Sequence, residues 1–126
     1  QLVMISTGKD PYASYRLSQR LPAGEYTLHL KMSSTGSGRG QFFWQTQNTK
    51  PPFHRDRSMT FEMTHGGTPV DYQLRFSSEK PITSVRIDPG QAKGEIRISA
   101  MQIHTGVGKK VYSWSFQSRQ TGSRDQ

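Results

Sequence analysis

Alternation of apolar and polar residues with a period of two is the feature that most limits what this chain can fold into. Every second residue of the segment 26–32 is apolar, and the pattern recurs in the segments 59–63, 71–77, 84–88 and 95–98. Because successive side chains of a strand point to opposite faces, the pattern predicts strands with one buried face and one wet face. The 3.6-residue period of amphipathic helices does not recur along the chain.

Turn-forming residues separate these segments at the spacing that an antiparallel sandwich needs. Glycine, proline and polar clusters stand at residues 22–24, 33–40, 50–52, 65–67, 79–81, 88–90 and 106–108. With further strands over 2–5, 12–21, 41–47 and 111–116, the total is eight or nine. We therefore predict an all-β fold, an antiparallel β-sandwich of the jelly-roll kind.

The length of 126 residues fits one folded unit. We predict a single β-sandwich module over residues 1–116. Residues 117–126 lack an apolar anchor, which predicts a linker or flexible tail. The chain begins at Gln1 and has no leader or membrane-spanning run, so we expect a module of a larger chain or a mature secreted product, extracellular or periplasmic, with no membrane partner.

Basic residues exceed acidic residues along the whole chain. There are 17 Lys and Arg against 9 Asp and Glu, which gives a net charge of +8. The first 63 residues carry 8 basic and 4 acidic side chains and the last 63 carry 9 and 5, so each half contributes +4. This excess favours a polyanionic partner, while the alternative is a basic surface that serves solubility alone.

The residue pattern does not indicate a catalytic or metal centre. The chain has no cysteine, which excludes a thiol nucleophile, disulfides and thiolate metal sites. The serines lack a G-x-S-x-G motif, and the histidines at 29, 54, 65 and 104 lack the short spacing of zinc sites. The glycine-rich stretch at 35–41 leads into a strand, whereas a phosphate loop leads into a helix. We therefore predict a protein that is not an enzyme and binds no cofactor.

The stretch RGQFFWQTQNTKPPFHRDRS, residues 39–58, combines three adjacent aromatics with a proline pair and four basic residues. Phe42 and Trp44 share one face of a strand and Phe43 takes the other, so part of the trio belongs to the core. The loop that follows is stiffened by Pro51 and Pro52 and would lose little entropy on holding a ligand. The ligand-binding residues predicted here are Trp44, Gln47, Lys50, Phe53, His54, Arg55 and Arg57. The alternatives are that Trp44 is buried and that the loop is merely solvated.

A second candidate site is the wet face of one sheet. The residues on outward phases of their strands are Arg16, His29, Lys31, Gln73, Arg75, Arg86 and Arg97. From this set Lys31, Arg75 and Arg97 join the predicted ligand-binding residues. If their strands adjoin, they form a basic groove for an extended anionic chain. Salt bridges with Asp71 and Glu95 are the alternative explanation. The sequence leaves both sites open.

A set of segments in fixed order carries a resemblance to a known family. GQFFWQTQ is followed by RSMTFEMT, DYQLRF and ITSVRIDPGQAKGEIRISAMQI. In this order the chain resembles the galactose-binding-like, jelly-roll carbohydrate-binding modules appended to bacterial sulfatases and other polysaccharide-active enzymes. The resemblance runs from about residue 12 to 103. It departs from the family at residues 67–69, where a tryptophan is common, and at Ser99-Ala100, where an acid is common.

The resemblance, taken with the charge of +8, implies a non-catalytic module that holds an appended enzyme on an acidic, sulfated polysaccharide. The alternative is an accessory sandwich that packs against a neighbouring catalytic domain and binds no glycan. Nucleic acid is not expected, because no reader motif is present. The resemblance implies that calcium is possible, since it is common in such sandwiches, but the nine acids mark no ligand set and we assign no calcium ligands.

Overall fold

The computed structural model describes residues 2–6, 12–90 and 94–114, with only the backbone described for 2–6. The predicted tail at 117–126 lies outside these residues. Within them no helix is long and apolar enough to cross a membrane. The described residues form one 3-10 helix, Arg55–Arg57, and nine strands: β1 Leu2–Ser6, β2 Ala13–Leu21, β3 Gly24–Ser34, β4 Gly40–Thr46, β5 Ser58–Phe61, β6 Val70–Ser78, β7 Ile82–Asp88, β8 Gly94–Thr105 and β9 Lys110–Trp114.

The strands pair into two antiparallel sheets, which confirms the predicted all-β sandwich. One sheet has four strands in the order β2-β7-β4-β5. The other has five, in the order β1-β8-β3-β6, with β9 also paired to β8. β1 pairs with the Gly94–Ile98 part of β8, whereas β9 pairs with its Met101–His104 part. The free edge of the long strand β8 is therefore shared by two short strands.

Aromatic rings from both sheets meet between them. Phe42 and Trp44 extend inward from β4 and Phe76 extends inward from β6. The ring centroid of Phe76 lies 5.2 Å from that of Phe42 and 4.8 Å from that of Trp44. The inward aliphatic side chains of β3, β7 and β8 surround these rings and are almost completely buried. The predicted alternation therefore follows the observed burial.

Further contacts join the sheets away from this centre. Phe61 on β5 packs on Tyr72 of β6, with ring centroids 5.3 Å apart. At the other side, the Tyr112 hydroxyl on β9 accepts a hydrogen bond of 2.9 Å from the backbone N–H of Ser18 on β2. This bond links β9 of the five-stranded sheet to β2 of the four-stranded sheet.

Gly40 leaves room for the Phe61 ring, so a larger residue at position 40 should lower the stability of the fold. An added Cβ at Gly40 would lie inside the contact distance of the ring atoms of Phe61. We expect Gly40→Ala to lower the free energy of unfolding by about 1–3 kcal/mol, because a packed core cannot absorb the methyl group without moving the ring. Urea denaturation measures the change.

Gly66→Ala is the matched control, because an added Cβ there meets nothing within 4 Å. Its effect should stay within about 0.5 kcal/mol. Equal stabilities of the two variants would contradict the assigned packing of Phe61.

Candidate functional site

Outward side chains of the four-stranded sheet line up in rows across its strands. The strand register places residues beside one another in three rows, Arg16–Ser84–Gln45, Ser14–Arg86–Phe43–Ser58 and Asp88–Gln41–Thr60. The first and third rows each combine a charged residue, Arg16 or Asp88, with a small polar group and an amide. The middle row instead places an arginine beside an aromatic ring.

Arg86 is surrounded by three aromatic rings. Its guanidinium carbon lies 4.2 Å from the ring centroid of Tyr12, 5.1 Å from that of Phe43 and 5.9 Å from that of Phe53. The rings of Phe43 and Phe53 meet edge to face, with centroids 6.4 Å apart. Cations are attracted to the faces of aromatic rings at such distances. We call Tyr12, Phe43, Phe53 and Arg86 the aromatic face.

A carboxylate on the same strand fixes the orientation of Arg86. The Nε and one terminal nitrogen of Arg86 donate to the two carboxylate oxygens of Asp88 at 2.7 and 2.9 Å. Both side chains are largely shielded, with exposures of 28% and 16%. A bidentate pair of this kind holds the guanidinium plane and balances its charge. Tyr12 remains 57% exposed, so its ring is accessible from solvent.

The loop between β4 and β5 borders the aromatic face through Phe53. Within this loop, some of the predicted ligand-binding residues are used for structure. Arg57 donates to the carbonyl oxygen of Pro51 at 2.6 Å, and the Oε1 of Gln47 accepts from Arg20 at 2.9 Å. His54 caps the 3-10 helix, since its Nδ1 accepts from the backbone N–H of Asp56 at 3.1 Å.

Lys50 and Arg55 differ from these residues because their side chains are exposed to solvent. Arg16, one row from Arg86 on the neighbouring strand β2, is exposed as well. Exposed cations therefore occur in the loop that carries Phe53 and in the row next to Arg86.

Trp44 does not contribute to a surface. It is only 7% exposed, and its ring packs against Phe76 in the core. Its place among the predicted ligand-binding residues was wrong for a physical reason. Trp44 shares the inward phase of β4 with Phe42, and the sandwich closes over that phase.

The predicted basic face is divided between the two sheets. Lys31, Arg75 and Arg97 lie on β3, β6 and β8 of the five-stranded sheet and are exposed. Arg16 and Arg86 lie on β2 and β7, in the other sheet, so the condition that all these strands adjoin is not met. Arg97 is also engaged, because its Nε donates to Glu95 at 2.7 Å.

The outer face of the five-stranded sheet carries a histidine pair. The imidazole centroids of His29 and His104 lie 4.1 Å apart. The strand register places these histidines in two rows, Gln73–His29–Gln102–Ser113 and Arg75–Thr27–His104–Lys110. We call His29, His104, Arg75 and Lys110 the histidine face. Partial burial, and second the charge of His104, lower the pKa of His29 from its usual value of 6.5.

Several residues of the aromatic face were not among the predicted ligand-binding residues. The sequence indicates an outward ring at Phe43, because this residue lies on the outward phase of its strand between Phe42 and Trp44. Arg86 and Asp88 share a strand face two residues apart, which allows an ion pair but does not identify their neighbours. The sequence does not predict the contact of Tyr12 with Arg86, since this contact depends on the pairing of β2 with β7.

A metal centre is not evident in the ranges 2–6, 12–90 and 94–114, where no three His, Asp or Glu residues converge. The acids that do approach cations, such as Asp88 and Glu95, are paired with arginines. The prediction of no bound metal ion remains untested by this observation.

Comparison with known proteins gives a partial structural likeness. No family model and no curated protein sequence matches the chain. A solved structure described as "BiXyn10A CBM1 APO" is similar over 71% of this chain, with a TM-score of 0.47 and 18% sequence identity. The chain spans 60% of the length of that structure. The candidate site therefore rests on the side chains of this protein and not on the comparison.

The lowered pKa of His29 gives a pH dependence of stability. Because the folded state holds a proton on His29 less readily than the unfolded state does, this histidine's contribution to stability is complete above about pH 6.5. The contribution is lost as the pH falls below that value. We expect the parent protein to lose more stability between pH 7.5 and pH 5 than His29→Gln does, as measured by urea denaturation.

His104→Gln tests the contribution of His104 to the lowered pKa of His29. It removes the neighbouring charge, so the titration midpoint of His29, followed by NMR, should rise toward 6.5. A midpoint of His29 at or above 6.5 in the parent protein would contradict the assigned environment.

Proposed function

We propose that this chain is a non-catalytic carbohydrate-binding module and that the aromatic face is its binding site. The observation that carries the proposal is the group of three rings held around Arg86 on the surface of a sheet, with Tyr12 accessible. The apolar C–H face of a sugar ring packs well on such a plate, because an aromatic ring offers a large contact area with little entropy to lose.

Polar groups beside the rings suit the hydroxyl groups of a saccharide. Gln45 and Ser84 lie in the neighbouring row toward Arg16, while Gln41 lies in the row on the other side. The Nε2 of Gln41 donates to the hydroxyl of Ser58 at 3.0 Å, which holds the amide in one orientation. A few fixed donors and acceptors next to an apolar plate are what orient a bound ligand.

An acidic target is supported by exposed cations in the loop that carries Phe53 and in the row next to Arg86. The ion pair with Asp88 balances Arg86, so Arg16, Lys50 and Arg55 are the groups that would meet sulfate or carboxylate substituents. Charge-assisted hydrogen bonds of this type are stronger than those between neutral groups. We infer a sulfated polysaccharide as the target, and a secreted polypeptide in which the module holds an appended catalytic domain on it.

The alternative is an accessory sandwich that packs on a neighbouring domain without binding glycan. A stable interface of that kind needs a broad apolar patch. Within the part of the chain that the structure describes, the exposed large hydrophobic residues are Tyr12 and Val107 alone. This distribution supports glycan binding more than domain packing.

Replacement of the exposed ring tests the proposal. A microarray of sulfated and neutral polysaccharides first identifies a ligand, and failure to bind any of them would overturn the proposal. For that ligand we expect Tyr12→Ala to weaken binding about ten- to hundredfold by isothermal titration calorimetry, because the stacking contact is lost. Val107→Ala, which also removes an exposed apolar side chain, should leave the affinity unchanged.

The exposed cations should determine charge selectivity. The double variant Lys50→Gln/Arg55→Gln should weaken binding of the sulfated ligand about three- to tenfold while a neutral saccharide of the same backbone binds as before. Affinity electrophoresis in gels that contain one or the other polysaccharide measures the ratio. The same loss for both ligands would show that these side chains shape the loop and do not read charge.

A further inference from the structure

The outer face of the five-stranded sheet carries cations that the proposed glycan site does not use. The row Arg75–Thr27–His104–Lys110 crosses the four strands β6, β3, β8 and β9. Because neighbouring strands lie about 4.8 Å apart, this row is roughly 14 Å long. Arg75 and Lys110 are positively charged, and His104 gains a positive charge when it is protonated.

The next row adds hydrogen-bonding groups and no acid. It consists of Gln73, His29, Gln102 and Ser113 in register. Carboxylates occur only outside the two rows: Asp71 faces Lys31 in the row beyond Gln73, and Glu25 faces Ser77 in the row beyond Arg75. The two rows therefore present donors and positive charge, with no carboxylate among their own members.

A depression at one end of the histidine face shares Arg75 with it. This cavity, of about 330 Å³, is lined by Glu25, Thr27, Arg75 and Ser77 among others. Its carboxylate would repel an anion, so an anionic ligand is better accommodated on the rows themselves, away from Glu25.

The surroundings of His29 make its protonation costly in the absence of an anion. The neighbours of His29 are Gln73 and Arg75 on β6, Gln102 and His104 on β8, and Thr27 and Lys31 on its own strand. Lys110 lies beyond His104 on β9, and Asp71 is the acid closest in register. The Nε2 of His104 lies 3.1 Å from Oε1 of Gln102. Two charged imidazoles with centroids 4.1 Å apart repel each other, and a bound anion would offset this repulsion.

We propose that the histidine face is a second binding surface, independent of the aromatic face, that binds the sulfate groups of an extended sulfated polysaccharide and binds them more tightly in mildly acidic solution. Sulfate esters fit because the two rows offer hydrogen-bond donors and cations across several strands. The rows contain no phenylalanine, tyrosine or tryptophan on which nucleic acid bases would stack, so a polyanion without bases is the better match.

Dextran sulfate and dextran are suitable probes, since they share a backbone and differ in charge. Dextran sulfate stays fully charged between pH 5.5 and 7.5, so any change in affinity comes from the protein. With the whole chain at constant ionic strength, we expect dextran sulfate to bind about three- to tenfold more tightly at pH 5.5 than at pH 7.5. Biolayer interferometry with the immobilised protein measures both values.

Variants separate the histidine face from the rest of the surface. The double variant His29→Gln/His104→Gln should abolish the gain at pH 5.5 and leave the affinity at pH 7.5 within about twofold. Arg75→Gln should weaken binding at both pH values, whereas Lys80→Gln, which removes an exposed cation in the turn after β6, should change neither. Tyr12→Ala should keep the pH effect, which distinguishes this surface from the aromatic face.

Three results would overturn the proposal. One is a gain at pH 5.5 that survives in the double histidine variant. Another is equal weakening by Lys80→Gln and Arg75→Gln, which would indicate a response to net charge alone. The third is single-stranded DNA binding with the same pH dependence and the same loss in the histidine variant, which would replace sulfated polysaccharide with nucleic acid as the ligand.

Discussion

Phe76 contacts Phe42 and Trp44 where the two sheets face each other. Such ring pairs contribute about 0.5–1.5 kcal/mol each beyond the area they bury, and they fix which phase of β4 is inside. Since the period of a strand is two, placing Phe42 and Trp44 in the core places Phe43 on the outer face beside Arg86. A slip of one residue would bury Phe43 and expose its neighbours. Core packing and the aromatic face therefore depend on the same register.

The strands and their inward faces could be predicted from sequence because period two is a local property. The segments Tyr26–Met32 and Val85–Ile87 show this, with their apolar residues inside. Which strands adjoin is not a local property. Arg16 and Lys31 have the same outward phase but lie in different sheets, and no sequence pattern distinguishes them. Tyr12 reaches Arg86 only through the pairing of β2 with β7, which joins distant parts of the chain.

The two outer faces differ in how their charges are balanced. On the aromatic face, Asp88 neutralises Arg86 and the rings shield both groups. On the histidine face, Arg75 and Lys110 have no carboxylate in their row. The first arrangement suits contact with sugar rings, and the second suits contact with anionic substituents. A module with both proposed surfaces would be bivalent, so two segments of one polymer could engage it together with a gain in avidity.

The shared edge of β8 has a consequence for how the chain can be connected. β1 and β9 both run antiparallel to β8, with Leu2 opposite Ile98 and Trp114 opposite Met101. The end of β9 thus lies about 10 Å from the start of β1, three residues further along the same partner strand. The two strands follow one another in the same direction, like one strand with a gap. Whatever precedes β1 and whatever follows β9 therefore join the sandwich at neighbouring points of one sheet edge.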